Sequence, residues 1–163
     1  MFDSVTPVLR SITDGKDDQP PHDTVLIVEH HADSREILSL LFRSVGYTVL
    51  EANDGKEGLR LVAATHPNLI VTDLGLPEMN GLEFVRRVRA QDGNRDHLKI
   101  ALLTAYNPKD YLVTALKSGC DLVVGKPIDL DTFDCIVSLL PHHSKSPCST
   151  GNSQVHHGGP INH

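Results

Sequence analysis

The stretch Leu69-Ile-Val-Thr-Asp73-Leu-Gly-Leu-Pro77 decides the fold. Its first four residues form a short run of aliphatic and β-branched side chains that ends directly in a carboxylate. A glycine and a proline follow within the next four residues. A run this short and this apolar, bounded by turn residues, is typical of a parallel strand buried on both faces. The stretch therefore predicts a central strand with Asp73 at its carboxyl end.

The same pattern, a short aliphatic run followed by a longer amphipathic segment, occurs five times along the chain. The predicted strands are 25–28, 48–50, 69–72, 100–103 and 122–124, and the predicted helices are 34–45, 55–65, 82–91, 108–119 and 130–140. Parallel strands joined by single helices need right-handed crossovers, which place helices on both faces of an open sheet. We therefore predict an α/β fold with a doubly wound five-stranded parallel sheet in the strand order 2-1-3-4-5, as in flavodoxin-like folds.

Capping residues and apolar spacing mark the predicted helices. Asp33 and Asp54 stand where N-caps are needed, Gly46 stops the first helix and Pro141 closes the last one. Apolar residues at helical spacing predict the face of the first helix that packs on the sheet, and they are Ile37, Leu40, Leu41 and Val45.

The two ends of the chain differ in composition from the repeated pattern. Residues 1–23 are poor in large apolar side chains, and residues 141–163 are rich in Ser, Gly, Pro and His. Such segments cannot bury enough apolar surface to offset the entropy of ordering. We predict a flexible N-terminal arm over 1–23, a folded domain over 24–140 and a disordered C-terminal tail over 141–163.

Composition argues against several classes of protein. A net charge of −6, from 15 basic and 21 acidic residues, lacks the basic face that nucleic-acid binding needs. The aliphatic runs are far shorter than the roughly 20 residues that cross a bilayer, and the first residues lack the pattern of a secretory signal. Three cysteines without CxxC spacing argue against a disulfide framework or a cysteine zinc site. We expect no nucleic-acid partner, no membrane contact and a cytoplasmic location.

Polar side chains stand at or just after the ends of four predicted strands. They are Glu29 and His30 after the first strand, Asp73 at the end of the third, Thr104 after the fourth and Lys126 after the fifth. The carboxyl ends of parallel strands meet at one edge of the sheet, where ligands bind. Carboxylates, a hydroxyl and an ammonium around one point suit a metal ion and a phosphoryl group, with Asp73 as the nucleophile.

Residues 24–140 resemble the receiver domain of bacterial two-component response regulators. The resemblance rests on five motifs, which are Val25-Leu-Ile-Val-Glu29, Leu69-Ile-Val-Thr-Asp73-Leu-Gly-Leu-Pro77, Met79-Asn-Gly81, Leu103-Thr104-Ala105 and Val124-Gly125-Lys126-Pro127. It implies that Asp73 accepts a phosphoryl group from a sensor histidine kinase or a phosphotransfer protein. It further implies that Thr104 is the switch hydroxyl and that Lys126 contacts the phosphoryl oxygens.

The resemblance also implies a Mg²⁺ site, in which Glu29, Asp73 and the backbone carbonyl of Gly75 are ligands. His30 departs from the family, which usually carries there a second acid that touches Mg²⁺ directly. Mg²⁺ prefers oxygen ligands, whereas neutral imidazole favours softer ions such as Zn²⁺. Three hypotheses stay open: His30 ligates a softer divalent ion with Asp73, or it only weakens Mg²⁺ binding, or the metal site is lost.

Two functions follow from these features. The first is a single-domain response regulator that is phosphorylated on Asp73 and signals in trans through a downstream protein target. The alternative is a phosphorylation-independent pseudo-receiver that acts as a protein interaction module, and the His30 substitution motivates it. We expect that the protein is not an enzyme. A phosphohydrolase needs a second carboxylate, as general acid, two residues after the nucleophile, and here that position holds Gly75 instead.

Overall fold

The computed structural model of the protein describes residues 23–92, 97–141 and 155–157. In these ranges, strands and helices alternate as the sequence predicts. The strands are β1 (Thr24–Val28), β2 (Thr48–Ala52), β3 (Leu69–Asp73), β4 (Lys99–Thr104), β5 (Leu122–Gly125) and β6 (Val155–His157). The helices are α1 (Ala32–Ser44), α2 (Gly55–Thr65), α3 (Gly81–Asp92), α4 (Pro108–Ser118) and α5 (Leu130–Val137). Most predicted ends lie within two residues of these bounds.

The sheet has the order β2-β1-β3-β4-β5-β6, and its first five strands are parallel. This confirms the predicted five-stranded parallel sheet in the order 2-1-3-4-5. The register pairs Asp73 with Leu103 and Thr104 with Gly125. The carboxyl ends of β3, β4 and β5 therefore lie level at one edge of the sheet.

The sixth strand, β6, was not predicted. It lies in the segment expected to be a disordered tail, and it pairs antiparallel with β5, so that expectation is wrong for Val155–His157. At the other end, Asp23 belongs to the predicted flexible arm, yet it is buried and its carbonyl accepts a hydrogen bond from the Thr48 amide at 3.2 Å, so that prediction is wrong for Asp23. The rest of the predicted arm and tail lies outside the described residues.

The core forms two layers, one on each face of the sheet. Alternate side chains of β1 point to opposite faces, so Leu26 and Val28 belong to the layer under α2 and α3, while Val25 and Ile27 belong to the layer under α1 and α5. All four side chains are fully buried. Burial on both faces explains why the strands read as continuous aliphatic runs.

Helix α1 packs through a different face from the one predicted. It begins at Ala32, two residues earlier than expected, and its N-cap is His31, which makes no side-chain capping bond, rather than Asp33. Leu38 and Phe42 are buried, because Phe42 packs edge-to-face on Phe133 of α5 with ring centroids 4.9 Å apart. The predicted inward residues Ile37, Leu40 and Val45 are instead 60%, 58% and 47% exposed, and Leu41 is only partly buried.

Two further features differ from the sequence-based expectations. Helix α5 ends at Val137 rather than at residue 140, because Leu139 and Leu140 donate to carbonyls three residues earlier and tighten the last turn. Cys120 is a buried free thiol, whereas Cys135 is disulfide-bonded, a single cross-link that the spacing of the cysteines does not predict. Among the described residues, no helix has the length and apolarity required to cross a membrane.

Candidate phosphoryl-acceptor site

Asp73 ends β3 and is held at the sheet edge by its neighbours. Its side chain is only 9% exposed. The next residue, Leu74, donates its amide to the Leu103 carbonyl at 2.8 Å and accepts the amide of Gly81 at 2.8 Å. The backbone on both sides of the loop between β3 and α3 is therefore bonded, and this fixes where the Asp73 carboxylate lies.

Lys126 joins two carboxylates at this edge. Its Nζ lies 2.7 Å from Glu29 Oε2 and 3.3 Å from Asp73 Oδ1. The Lys126 side chain is 24% exposed and that of Glu29 is 1% exposed. The structure thus brings together the first, third and fifth strands' polar residues, as the sequence predicts.

Glu29 is fixed through both of its carboxylate oxygens. Oε2 accepts from Lys126, and Oε1 accepts the His31 amide at 3.0 Å. The backbone is held as well, because the Arg35 guanidinium donates to the Glu29 carbonyl at 2.9 Å. Arg35 is not among the predicted site residues, although a cation in the first turn of a helix, where the macrodipole favours acids, is a signal that could have identified it.

The charges around Lys126 do not balance. Burial raises the pKa of Asp73, repulsion from Glu29 raises it further, and Lys126 only partly offsets these effects. Burial works against the charge of Lys126, but its hydrogen bond to Glu29 and the attraction of both carboxylates outweigh it, so the pKa of Lys126 is raised. Two carboxylates share one ammonium, and the site can therefore take up further positive charge.

Thr104 lies at the end of β4 and is fully buried. Its hydroxyl oxygen accepts the Tyr106 amide at 3.0 Å, and its carbonyl accepts the Lys126 amide at 2.8 Å. Thr104 is thus bonded through its backbone to the residue whose ammonium contacts Asp73, while its hydroxyl is engaged with the following loop. An open cavity of about 390 Å³ adjoins this loop and is lined by Tyr106, Lys109 and Lys126 among others.

The two other predicted site residues, Gly75 and His30, are both exposed. Gly75 is exposed, and its amide hydrogen-bonds the Asp73 carboxylate. His30 is also exposed, with its ring 5.7 Å from that of His31. In the part of the chain that the structure describes, no three His, Cys, Asp or Glu side chains cluster as a metal site. The hypothesis that His30 and Asp73 hold a softer ion together stays a prediction.

The fold and this edge define a receiver domain. Residues 25–137 match the family model of the response regulator receiver domain, and the chain belongs to this family. Members are signalling modules of two-component systems and are typically phosphorylated on an aspartate. The resemblance noted in the sequence is confirmed.

Particular relatives differ in how much of their length the chain covers. It is 28% identical to sporulation initiation phosphotransferase F of Bacillus subtilis over 121 residues. This alignment covers 74% of this chain and 95% of that protein. It is 34% identical over 113 residues to regulatory protein AtoC of Escherichia coli, covering 69% of this chain but only 24% of that protein.

A solved structure shows the same fold in a protein complex. It is the co-crystal structure of the Saccharomyces cerevisiae histidine phosphotransfer signaling protein Ypd1 with the receiver domain of its downstream response regulator Ssk1. The match has a TM-score of 0.66 at 28% identity and covers 73% of this chain and 89% of that chain.

Proposed function

We propose that this protein accepts a phosphoryl group on Asp73 from a phosphohistidine of a sensor histidine kinase or phosphotransfer protein. The observation that carries the proposal is the sharing of the Lys126 ammonium between Glu29 and Asp73 at the carboxyl edge of the sheet. We further propose that the phosphorylated domain acts in the cytoplasm on a downstream protein, in trans.

The chain's own residues account for the transfer step. An oxygen of the Asp73 carboxylate attacks phosphorus, the bond to the histidine nitrogen breaks, and the electron pair of that bond stays on the imidazole. Lys126 then exchanges its contact with the Asp73 carboxylate for one with a phosphoryl oxygen. Glu29 keeps the ammonium in place, because its own contact with Lys126 is the shorter one.

The site residues fit a divalent cation such as Mg²⁺ with a reduced ligand set. Glu29 and Asp73 are oxygen donors, which Mg²⁺ prefers, and the charge imbalance around Lys126 favours a cation. Glu29, Asp73 and the Gly75 carbonyl would hold it, while the exposed His30 supplies no oxygen. When bound, Mg²⁺ neutralises charge on the phosphoryl oxygens. The remaining oxygen donors, with no oxygen from His30, favour the hypothesis that His30 weakens metal binding without abolishing it.

The proposal is tested by incubating the protein with a small phosphodonor such as acetyl phosphate and Mg²⁺. We expect the intact mass to increase by one phosphoryl group, with a lower yield when EDTA replaces the metal. The mass change maps to the peptide that contains Asp73. Absence of any gain with both Mg²⁺ and Mn²⁺ rejects phosphorylation as the function.

An apolar patch next to the site is suited to the phosphohistidine protein. Ile37 and Leu40 of α1 form this α1 patch and are 60% and 58% exposed. Ile37 also lines a cavity of about 420 Å³ with Glu29, Lys126 and Ile128, so the patch and the site belong to one continuous surface. A protein that delivers a phosphoryl group to Asp73 must cover this surface.

Replacing Ile37 by Glu is therefore expected to slow phosphotransfer from a phosphohistidine protein about tenfold, which corresponds to the loss of an anchor contact of about 1.4 kcal/mol. Phosphorylation by acetyl phosphate stays unchanged, because the small donor does not need the patch. Radiolabel transfer from any phosphotransfer protein that phosphorylates the wild type measures both rates.

The matched control is Val113→Glu on α4, where Val113 is 63% exposed but does not line this cavity. It is expected to leave both rates unchanged. Equal slowing in the two variants would mean that added negative charge, rather than the α1 patch, controls transfer.

A phosphorylation-independent interaction module is the second candidate. The exposed His30 stands where the family usually has a second acid, so the described carboxylates beside Lys126 are Glu29 and Asp73 alone. This smaller set of acidic ligands favours the second candidate. Such a module binds its partner equally well before and after treatment with acetyl phosphate. The mass measurement separates the two candidates.

A further inference from the structure

Arg35 carries a positive charge in the first turn of α1, where a helix favours negative charge. The amino-terminal end of a helix carries a partial positive charge, which suits Asp33 but not Arg35. The Arg35 side chain is half-buried and turns back to the loop between β1 and α1, residues 29–31. A cation at the unfavourable end of a helix points to a role in that loop.

Arg35 bonds to the carbonyls of all three loop residues. Its Nη1 donates to the Glu29 carbonyl at 2.9 Å and lies 3.5 Å from the His30 carbonyl. Its backbone amide donates to the His31 carbonyl at 3.0 Å. His31, the N-cap of α1, makes no side-chain capping bond. One residue of the helix thus holds the backbone of the whole loop.

The peptide group between His30 and His31 is held from both of its ends. Its carbonyl faces Arg35 Nη1, and its amide donates to Glu29 Oε1 at 3.0 Å. This peptide group is planar and trans, so its C=O and N–H point in opposite directions. A contact that fixes the carbonyl therefore also aims the amide at the Glu29 carboxylate. The other carboxylate oxygen of Glu29, Oε2, accepts from Lys126 at 2.7 Å.

The orientation of Glu29 matters because few acids surround Lys126. Among the described residues, the carboxylates beside Lys126 Nζ are Glu29, at 2.7 Å, and Asp73, at 3.3 Å. The exposed His30 adds no oxygen. A divalent cation at this site therefore depends on two carboxylates, and a change in the orientation of either one alters its binding.

We propose that Arg35 is a positioning residue of the phosphoryl-acceptor site. It clamps the loop between β1 and α1, so that the His31 amide and Lys126 together orient the Glu29 carboxylate. The guanidinium contacts main-chain carbonyls, so Arg35 acts through Glu29 and not on the phosphoryl group itself. Its effect on a divalent cation rests on the proposed function, whereas its effect on the loop does not.

The effect on the loop is tested without any metal, by solvent-exchange NMR of the His31 amide in the full chain. Arg35→Gln removes the guanidinium and shortens the side chain, so exchange at His31 is expected to be at least about tenfold faster than in the wild type. Slow exchange at Val71, a fully buried residue of β3, shows that the sheet is intact. Equal His31 exchange in the two proteins would overturn the proposal.

The effect on the cation is measured as the Mg²⁺ concentration that gives half the maximal rate of phosphorylation by acetyl phosphate. We expect Arg35→Gln to raise this concentration about tenfold and to leave the rate at saturating Mg²⁺ within about twofold of the wild type. A damaged fold would lower the saturated rate instead. Mn²⁺ binding, followed by EPR without a phosphodonor, should weaken by the same factor. An unchanged half-saturating concentration, or a loss confined to the saturated rate, would also overturn the proposal.

The matched control is Arg43→Gln, the same loss of charge in the last turn of the same helix. The described partner of Arg43 is Glu51, at 3.8 Å, so His31 exchange and the Mg²⁺ dependence should both stay as in the wild type. Equal shifts in Arg43→Gln and Arg35→Gln would mean that positive charge on α1, rather than the clamp, sets the affinity. That result would contradict the positioning role.

Arg35→Lys keeps the charge but offers a single ammonium, which does not reproduce the fork of the guanidinium. We expect intermediate values in both measurements, about threefold from the wild type. If Arg35→Gln does not fold, Arg35→Lys decides, and wild-type values then reject the proposal. If the wild type gains no phosphoryl group and binds no Mn²⁺, the proposed function fails, and His31 exchange alone decides the role of Arg35.

Discussion

Asp73→Asn is expected to abolish the gain of one phosphoryl group from acetyl phosphate. The amide that replaces the carboxylate is not a nucleophile toward phosphorus, although it keeps the size and shape of the side chain. Intact-mass analysis of variant and wild type, at equal donor and Mg²⁺ concentrations, measures the loss. Residual phosphorylation of the variant would place the acceptor on another residue.

The control for this prediction is Asp129→Asn. Asp129 caps α5 by accepting the Thr132 amide at 2.8 Å, and asparagine caps a helix as well as aspartate does. It lies three residues from Lys126, but its described side-chain partner is Thr132, whereas Lys126 pairs with Glu29 and Asp73. The Asp129→Asn variant should therefore gain the phosphoryl mass at the wild-type rate.

Loss of phosphorylation in Asp73→Asn should come with a gain in stability. Burial, with repulsion from Glu29, raises the pKa of Asp73 above 3.8, so the folded state favours the protonated form more than the unfolded state does, and the ionised carboxylate destabilises the fold. At pH 7 the neutral asparagine is expected to raise the free energy of unfolding. The gain shrinks as the pH falls through the raised pKa, and it vanishes below 3.8. Urea titrations between pH 3 and pH 7 measure it.

The sequence predicted the site better than it predicted the helix faces. Glu29, Asp73 and Lys126 converge because each follows a parallel strand, and the carboxyl ends of such strands share one edge whatever the surrounding packing. Strand order and handedness rules therefore suffice to bring them together. His30 is adjacent in sequence to Glu29, yet sequence adjacency does not decide whether its side chain turns inward or to solvent.

Helix α1 shows why helix faces are harder to predict. Ile37 and Leu40 form one apolar row, and Leu38 and Phe42 form another row on the same helix. Periodicity alone cannot choose between two overlapping rows, because both have helical spacing. The contact of Phe42 with Phe133, which is 91 residues away in the chain, decides the choice, and no local pattern records it. β6 was missed for the same reason, since a three-residue strand gains its pairing from β5 and not from its own composition.

Gly81→Ala is expected to lower both stability and phosphorylation. A Cβ at Gly81 would overlap the carbonyl oxygen of Asp73 and lie 2.9 Å from the Cα of Leu74. Both atoms belong to the backbone, and the amide of Leu74 is already bonded to β4, so neither can move without displacing Asp73. We expect a loss of about 3 kcal/mol in unfolding free energy, at the upper end for overpacking, and at least about tenfold slower phosphorylation.

Gly75→Ala separates this effect from the general cost of replacing a loop glycine. A Cβ at Gly75 would meet only Oδ2 of Asp73 at 3.7 Å, an ordinary contact, so the stability should change by less than about 0.5 kcal/mol. Urea denaturation of both variants, with the mass measurement of phosphorylation, gives the comparison. If Gly81→Ala were as stable and as reactive as Gly75→Ala, the backbone of the loop between β3 and α3 would have to shift without a measurable cost in stability. The acceptor carboxylate would then be positioned by Lys126 and Glu29 alone, rather than by the close approach of α3 to the end of β3.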